Sequence, residues 1–279
     1  MRAADAARLF ALAAIWGASF LFIRILAPAI GPVATADLRM LIAGGALAAY
    51  FSVTGFDPGW RRWWRYYLLI GVLNSAAPFV LFGYAALDLS VGLLVVFNAT
   101  SPMWGALLSA VVLRERLSMT RSAGLLLGVA GVALVSGPQA SGAWLAIAAA
   151  LGGAFSYGLA AVVMRRLAGG TSSRGMAAGT LLMGGLLLLP ALAVSPPPMP
   201  STGMVMNLLA LGLVCGAVAY ILYFRLIADI GPTGALTVTY LIPLFGVLWG
   251  ALFLGEALSF HVIAGALVVI AGTVLVLRS

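Results

Sequence analysis

The side chains of this sequence that could do chemistry are few, and they lie inside long apolar runs. Asn98 precedes Pro102 by four residues, and Thr239, which is followed by Tyr240, precedes Pro243 by four residues. A proline inside a helix frees the carbonyl one turn earlier from its hydrogen bond. A polar side chain beside a freed carbonyl can bind a small ligand, or the same groups can form a kink with local hydrogen bonds. We predict that Asn98, Thr239 and Tyr240 bind a ligand and that the two prolines kink or gate their helices.

Aromatic side chains recur in the same apolar runs. Pockets for small molecules are mostly apolar, with a few polar groups that orient the ligand. An aromatic cage would therefore suit an apolar or aromatic ligand, although each ring could instead face lipid or lie in an interfacial belt. The other aromatic residues predicted to bind the ligand are Trp16, Phe20, Phe79, Tyr84, Trp104, Tyr157, Tyr220 and Trp249.

Two arginines also lie within apolar runs, where a charge is costly and marks function. Arg24 is predicted to attract a carboxylate of the ligand, although it could instead reach an interface or pair with Asp37. Arg39 is predicted to be structural. We expect no carboxylate deep in an apolar run, and Glu115 and Glu256 lie at the ends of their runs, where they can cap a helix or pair with arginine. A relay of buried acids for proton coupling is therefore not indicated.

Catalytic and metal-binding groups are scarce. One histidine, His261, one cysteine, Cys215, and no lysine leave little from which to build an active site. The sequence also has no GxxxxGK phosphate-binding loop. We predict no enzyme activity, no metal and no cofactor, with Cys215 as a packing residue and His261 at an interface.

The composition indicates a membrane protein. The 279 residues are 63% hydrophobic and 8% charged, whereas a soluble domain carries about 25% charged residues. A membrane helix needs about 20 mostly apolar residues, and ten such runs are present. The runs are 8–27, 33–53, 65–86, 90–113, 120–136, 143–165, 174–194, 204–226, 231–254 and 259–277.

The arginines predict the orientation. Every second gap between the apolar runs contains arginine, at 61–65, 114–121, 165–174 and Arg225. The other gaps between the runs contain no arginine. Positively charged loops stay on the cytoplasmic side, so both termini are predicted to be cytoplasmic. A nucleic-acid partner is not expected despite the net charge of +8, because such a partner requires the basic residues on one soluble face. The lipid bilayer is the expected environment.

One phrase occurs twice. Residues 102–118 read PMWGALLSAVVLRERLS and residues 243–259 read PLFGVLWGALFLGEALS. At this offset of 141, 15 of the 34 positions from 102 to 135 are identical. Five helices in each copy is an odd number, so the second copy is predicted to be inverted in the membrane. We predict halves at 1–137 and 138–279, which is the inverted-repeat arrangement of many transporters.

A second, looser likeness joins the starts of the halves. WGASF at 16–20 is similar to LGGAF at 151–155, at a different offset.

The sequence resembles the drug/metabolite transporter superfamily, in particular its EamA-type members. The resemblance covers essentially the whole chain and is carried by WGASFLFIR at 16–24, by LRMLIA at 38–43 and by the doubled phrase. It implies an all-α membrane protein with ten helices in two inverted EamA halves, a bacterial inner-membrane location and export of a small metabolite. The nearest likeness is to bacterial exporters of aromatic and other amino acids, which implies alternating access around a cavity between the halves.

Other functions remain open on the sequence alone. Multidrug or other-metabolite efflux on the same scaffold is the first alternative, and an intramembrane enzyme or a non-transport scaffold is a distant one. Three small-residue motifs permit a homodimer, but such motifs also pack helices within one chain. They are GLLLG at 124–128, GLVCG at 212–216 and GVLWG at 246–250.

Overall fold

The computed structural model describes residues 2–136, 140–167, 170–194, 196–257 and 259–278. In these residues the chain forms ten helices long and apolar enough to cross a membrane, and no strand. They are α1 Ala3–Ile30, α2 Pro32–Val53, α3 Trp60–Ala85, α4 Val91–Val112, α5 Met119–Ser136, α6 Gly142–Arg166, α7 Ser173–Val194, α8 Thr202–Gly231, α9 Gly234–Leu254 and α10 Phe260–Leu277. The ten predicted spans and the all-α fold are confirmed. The predicted boundary between the halves, at residues 137 and 138, lies outside the described residues.

Local sequence signals set where the helices begin. In lipid the backbone must satisfy its hydrogen bonds within each helix, so only the ends need special groups. The Ser90 hydroxyl accepts the backbone N–H of Leu93 at 3.3 Å and caps α4. Between α1 and α2, Gly31 has φ of +91°, a conformation open mainly to glycine. Pro32 follows it in the first turn of α2, where its missing N–H costs nothing.

The two halves pack against each other reciprocally. A Cβ on Gly17 of α1 would lie 2.9 Å from the backbone nitrogen of Gly246 in α9. A Cβ on Gly158 of α6 would lie 2.7 Å from the backbone nitrogen of Gly105 in α4. At the offset of 141, Gly17 is equivalent to Gly158 and Gly105 is equivalent to Gly246, so the second pair repeats the first. This contact between the halves thus has an image in which the halves exchange roles.

The same exchange relates α2 and α7. A Cβ on Gly44 would lie 2.8 Å from the backbone nitrogen of Leu182, and one on Gly185 would lie 2.7 Å from the Leu41 side chain. The offset of 141 therefore holds far beyond the doubled phrase. The looser likeness between 16–20 and 151–155 does not follow this offset, since Gly17 and Gly158 occupy equivalent places in the packing.

Each half also contains a π-helical segment, where one extra residue widens the helix. These segments are Val72–Ala76 in α3 and Ala210–Val218 in α8. The offset maps 72–76 onto 213–217, inside the second segment. Such segments break the regular hydrogen-bond ladder and are frequent at functional sites. Both lie on helices that pack against α2, at the centre of the molecule.

Candidate functional site

The centre of the molecule holds a buried arginine. The Arg39 guanidinium lies over the Phe79 ring, 3.9 Å from its centroid, and the residue is 7% exposed. The side chains of Tyr157, Cys215 and Tyr220 are close enough to interact electrostatically with it. In the described part of the chain it has no acidic partner and no hydrogen bond. A buried cation without a counter-ion is costly, so this group is available to an anion.

Aromatic rings extend from this arginine in two directions. Tyr157 stacks on Phe82 at 6.4 Å between centroids, and Phe82 meets Phe20 edge to face at 5.5 Å. On the other side, Tyr220 meets Trp16 at 6.1 Å. Three of the predicted ligand-binding residues, Phe79, Tyr157 and Tyr220, therefore lie next to Arg39. Two more are joined to them by ring contacts, Phe20 through Phe82 and Trp16 directly.

The helices that carry these groups are positioned by the reciprocal packing. The residue equivalent to Arg39 in the second half is Thr180, at the offset of 141. The Thr180 carbonyl would lie 2.7 Å from a Cβ on Gly71, and the Arg39 carbonyl would lie 3.5 Å from one on Gly212. The backbones at Arg39 and Thr180 therefore pack alike. Because Thr180 packs in this way without a guanidinium, the packing does not require the charge of Arg39.

The π-helical segment of α3 is tied to α6. The hydroxyl of Ser156 donates to the carbonyl of Leu73 at 2.7 Å. This bond satisfies a carbonyl within the irregular hydrogen-bond ladder of α3. It also fixes α6, which carries Tyr157, against α3, which carries Phe79. The hydroxyl of Ser75, in the same segment, is fully buried and has no hydrogen-bond partner in the described residues.

Regular helix is interrupted before the proline in both α4 and α9, and hydroxyl groups satisfy carbonyls there. That Pro102 and Pro243 kink or gate these helices stays a prediction. In α4, regular helix stops at Asn98 and resumes at Ser101, and the Ser101 hydroxyl donates to the Asn98 carbonyl at 2.6 Å. In α9 it is interrupted at Thr237, and the Thr239 hydroxyl donates to the Leu236 carbonyl at 2.8 Å. The local hydrogen bonds of a kink are thus formed at both places.

Ligand binding by the polar side chains beside these interruptions stays a prediction. The side chain of Asn98 is half-buried and forms no hydrogen bond with the described residues. Tyr240 is also half-buried, beside the α9 kink. Pro102 begins the second part of α4, and Pro243 lies inside the second part of α9.

A cavity of about 340 Å³ reaches from Tyr157 to one end of the molecule. Its outer part is lined by Glu115, Arg121 and Arg165, and its inner part by Pro102. We call this end, where Arg8, Arg61, Arg114, Arg165 and Arg225 lie at or beside the helix ends, the arginine-rich end. The other end is called the opposite end. The cavity therefore connects the arginine-rich end with one of the neighbours of Arg39.

The other predicted site residues lie elsewhere in this conformation. Arg24 donates to the Ala86 carbonyl at 3.0 Å, at the end of α3, and does not pair with Asp37. Tyr84 is 48% exposed on the outer surface. Trp249 donates to the Ala14 carbonyl at 2.9 Å and joins α9 to α1. Arg24 and Trp249 thus have structural contacts, and the role of all three residues toward a ligand stays a prediction.

Trp104 lies beside a second cavity. It meets Phe155 edge to face at 5.5 Å and lines an apolar cavity of about 610 Å³ between α4, α5 and α6. Leu126 and Val129 line the same cavity and are 72% and 69% exposed. Such exposed apolar positions on a membrane helix face lipid, so this cavity is a groove on the lipid-facing surface.

Sequence reasoning missed two charges on α2. Arg39 was predicted to be structural, yet it lies at the centre of the aromatic cluster. Asp37 lies near one end of the apolar run 33–53, yet it is fully buried and both of its oxygens lack a hydrogen-bond partner in the described residues. The repeat could have pointed to these two residues. Their equivalents at the offset of 141 are the uncharged Ala178 and Thr180, so the charges are specific to the first half.

The two equivalent glutamates behave differently. At the opposite end, Glu256 after α9 accepts the backbone N–H groups of Val91 and Gly92 at 2.8 and 3.3 Å, and so caps α4. At the arginine-rich end, Glu115 after α4 binds Arg165 of α6 instead. Among the described contacts, this glutamate joins α4 to α9 only at the opposite end.

Ten apolar helices in two equivalent halves around a polar and aromatic centre define a polytopic membrane protein of the transporter class. The family model described as "EamA-like transporter family" matches residues 6–137 and 144–278. The chain belongs to this family, and the predicted resemblance is confirmed.

Curated relatives span nearly the whole chain. A chloroplastic WAT1-related protein of Arabidopsis thaliana is 30% identical over 94% of this chain and 66% of its own length. A probable terminal-alkyne amino-acid exporter of Streptantibioticus cattleyicolor is 26% identical over 94% of this chain and 90% of its own length. The inner membrane transporter YedA of Escherichia coli is 29% identical over 90% of this chain and 83% of its own length.

One solved crystal structure has the same fold. It superposes with a TM-score of 0.68 over 99% of this chain and 96% of the other, at 19% sequence identity. At this identity the likeness describes the fold alone.

Proposed function

We propose that this protein exports small metabolites, namely amino acids with aromatic or apolar side chains, across the bacterial inner membrane. The observation that carries the proposal is the Arg39 guanidinium, which has no acidic partner in the described residues and lies among aromatic rings. An amino acid presents a carboxylate that suits the guanidinium and a side chain that suits the rings. Arginine binds carboxylates through two parallel hydrogen bonds, which also orients the ligand.

The surroundings of Arg39 support a ligand with an apolar side chain. Trp16, Phe20 and Tyr220 provide aromatic surface near the guanidinium, and small-molecule sites are built in this way. The phenolic oxygens of Tyr157 and Tyr220 are acceptors for the ligand's ammonium group. Asn98, on the neighbouring helix α4, is a further candidate because its amide is not used within the described residues.

We infer alternating access from the reciprocal packing. The halves are inverted repeats, so each half can adopt the conformation of the other, and this exchange moves the centre from one side to the other. The contacts of Glu256 and Glu115 break the symmetry. Glu256 joins α4 to α9 at the opposite end, while the cavity of about 340 Å³ lies at the arginine-rich end. This conformation is therefore closed at the opposite end and open at the arginine-rich end.

The direction follows from the predicted orientation. Positively charged loops mark the cytoplasmic side, so the arginine-rich end and both termini are cytoplasmic and the cavity receives ligand from the cytoplasm. The relative named as a probable terminal-alkyne amino-acid exporter supports this substrate class.

Counterflow in proteoliposomes tests this function. Vesicles are loaded with an unlabelled amino-acid mixture, and labelled phenylalanine, tryptophan, threonine or methionine is added outside. We expect the label to accumulate with the native protein. Arg39→Gln should abolish accumulation, and the matched variant Arg116→Gln, which changes an exposed arginine, should retain it.

Two results would contradict the proposal. Failure of every amino acid with folded protein would remove the amino-acid assignment and favour multidrug or other-metabolite efflux on the same scaffold. Full activity of Arg39→Gln would show that the carboxylate is bound elsewhere. Folding of each variant is checked by size-exclusion chromatography and thermal unfolding in detergent.

A further inference from the structure

Asp37 is a buried carboxyl group that the transport scheme above does not use. It is the sixth residue of α2 and is 0% exposed. Neither of its oxygens has a hydrogen-bond partner in the part of the chain that the structure describes. A carboxyl group in this setting has to be explained, because buried polar groups are nearly always hydrogen-bonded.

The surroundings supply no counter-charge. α2 packs against α1, α3, α7 and α8. Titratable side chains of these helices include Arg24 of α1, Tyr84 of α3, and Cys215 and Tyr220 of α8. Arg24 is bound to a backbone carbonyl, Tyr84 is exposed, and the two α8 groups surround Arg39.

The remaining charges on these helices do not reach Asp37 either. α7 carries a single charge, Arg174, near its start, where it lies over the Phe56 ring. Arg39 follows Asp37 by two residues and is directed at Phe79. No charged side chain in the described residues donates a hydrogen bond to the Asp37 carboxyl.

The energetic consequence is a choice between two protonation states. An ionised carboxylate buried without partners costs several kcal/mol or more, and such a group binds a proton instead. The conformation described here therefore favours the neutral acid. A conformation that hydrates Asp37, or that brings it to an arginine, favours the carboxylate. Proton binding and conformation are then linked, since each shifts the equilibrium of the other.

The scaffold does not account for this residue. Its equivalent at the offset of 141 is Ala178, which is fully buried in the packing of α7 against α2. An apolar side chain therefore serves at the equivalent place. The carboxyl group is present in one half only, as is the Arg39 guanidinium.

We propose that Asp37 is a proton-binding site that couples transport to the proton gradient. Its carboxylate takes a proton from water on one side of the membrane in one conformation. It returns that proton to water on the other side in the other conformation. No other bond is made or broken, and transport of the substrate in the opposite direction completes the cycle. A hard cation such as sodium requires several oxygen ligands, whereas a single carboxyl group is enough to bind a proton.

A proton gradient across proteoliposomes tests the coupling. Labelled phenylalanine is supplied at equal concentration inside and outside, and the interior is made acidic. Outward proton flow should drive phenylalanine above equilibrium inside the vesicles with the native protein. Asp37→Asn should lose this accumulation but retain counterflow. The matched variant Asp88→Asn, which changes an exposed aspartate, should behave as the native protein does.

A second measurement does not depend on the substrate. Infrared spectroscopy at neutral pH should show the carbonyl stretching band of a protonated carboxylic acid, present in Asp88→Asn and absent in Asp37→Asn. The proposal is overturned if this band is missing from the native protein or persists in Asp37→Asn. It is also overturned if Asp37→Asn accumulates phenylalanine normally, or if a sodium gradient and not a proton gradient drives accumulation. Failure of counterflow in the native protein would instead contradict the proposed function, and the infrared result would still decide whether Asp37 holds a proton.

Discussion

A Cβ on Gly124 would lie 2.7 Å from the carbonyl oxygen of Gly272, and a Cβ on Gly272 would lie 2.7 Å from the carbonyl oxygen of Gly124. The same closeness joins Gly131 and Gly265, at 3.2 and 3.1 Å. The offset of 141 converts one pair into the other, so α5 and α10 cross antiparallel about a two-fold axis. Neither helix can accept a side chain at this crossing.

This closeness predicts the effect of added volume. Gly124→Ala should lower the free energy of unfolding by about 1–3 kcal/mol, because the new methyl group must displace backbone atoms of α10. The control is Gly45→Ala, where a Cβ meets nothing within 4 Å. That change should leave stability unchanged or raise it, since alanine favours a helix more than glycine does. Thermal unfolding in detergent compares the two, and equal effects would contradict the close crossing.

The serines around the π-helical segment of α3 predict opposite effects. Ser156→Ala should lower stability by about 1–3 kcal/mol, because the Leu73 carbonyl loses its donor at 2.7 Å. Ser75→Ala should be neutral or stabilising, because its buried hydroxyl has no partner in the described residues. The two free energies of unfolding are measured in the same detergent. A loss for Ser75→Ala as large as that for Ser156→Ala would show that Ser75 has an essential contact.

The glutamate at the opposite end predicts a shift in conformation. Glu256→Ala removes the cap on Val91 and Gly92, so α4 and α9 should separate more often at that end. The readout is maleimide labelling of Val95→Cys, a fully buried position on α4, after Cys215→Ala. Labelling from the opposite end should rise with Glu256→Ala.

Glu115→Ala is the matched control for that shift. Glu115 binds Arg165, and its described contacts include none with α9, so its loss should not raise labelling of Val95→Cys. Equal labelling in both variants would exclude Glu256 as the closing contact.

The kink of α4 predicts separate effects on binding and stability. Asn98→Ala should weaken counterflow by raising the half-saturating concentration, with little change in stability, because its amide makes no described hydrogen bond. Ser101→Ala should lower stability by about 1 kcal/mol, because the Asn98 carbonyl loses its donor at 2.6 Å. Counterflow kinetics and thermal unfolding are measured on both variants. Unchanged kinetics in Asn98→Ala would remove this residue from the predicted site.

Much of the architecture follows from the sequence because the bilayer limits the choices. Long apolar runs can only be helices in lipid, and the predicted ten spans agree with the structure. The repeat was readable because Pro102 and Pro243, with the phrases that follow them, are nearly the same. The cluster of Trp16, Tyr157 and Tyr220 could be predicted as aromatic residues on separate helices, but not as neighbours.

The two charges of α2 show where sequence reasoning ended. Arg39 and Asp37 are two residues apart, and periodicity alone suggested that one is structural and the other a partner for Arg24. In the folded chain Arg24 is bound to the Ala86 carbonyl, Arg39 lies over Phe79, and Asp37 has no partner in the described residues. Which helix faces which side of α2 depends on packing between halves that are far apart in sequence.

The sequence by itself determined the membrane environment, the number of spans and the doubled plan, because these depend on composition and on the local order of residues. The tertiary structure decided which polar groups meet and which are left alone, because glycine-to-glycine contacts such as Gly17 with Gly246 set the distance and rotation of each helix. The charge of Arg39 is in the sequence. Its availability to an anion arises only when α2, α3, α6 and α8 surround it without an acid.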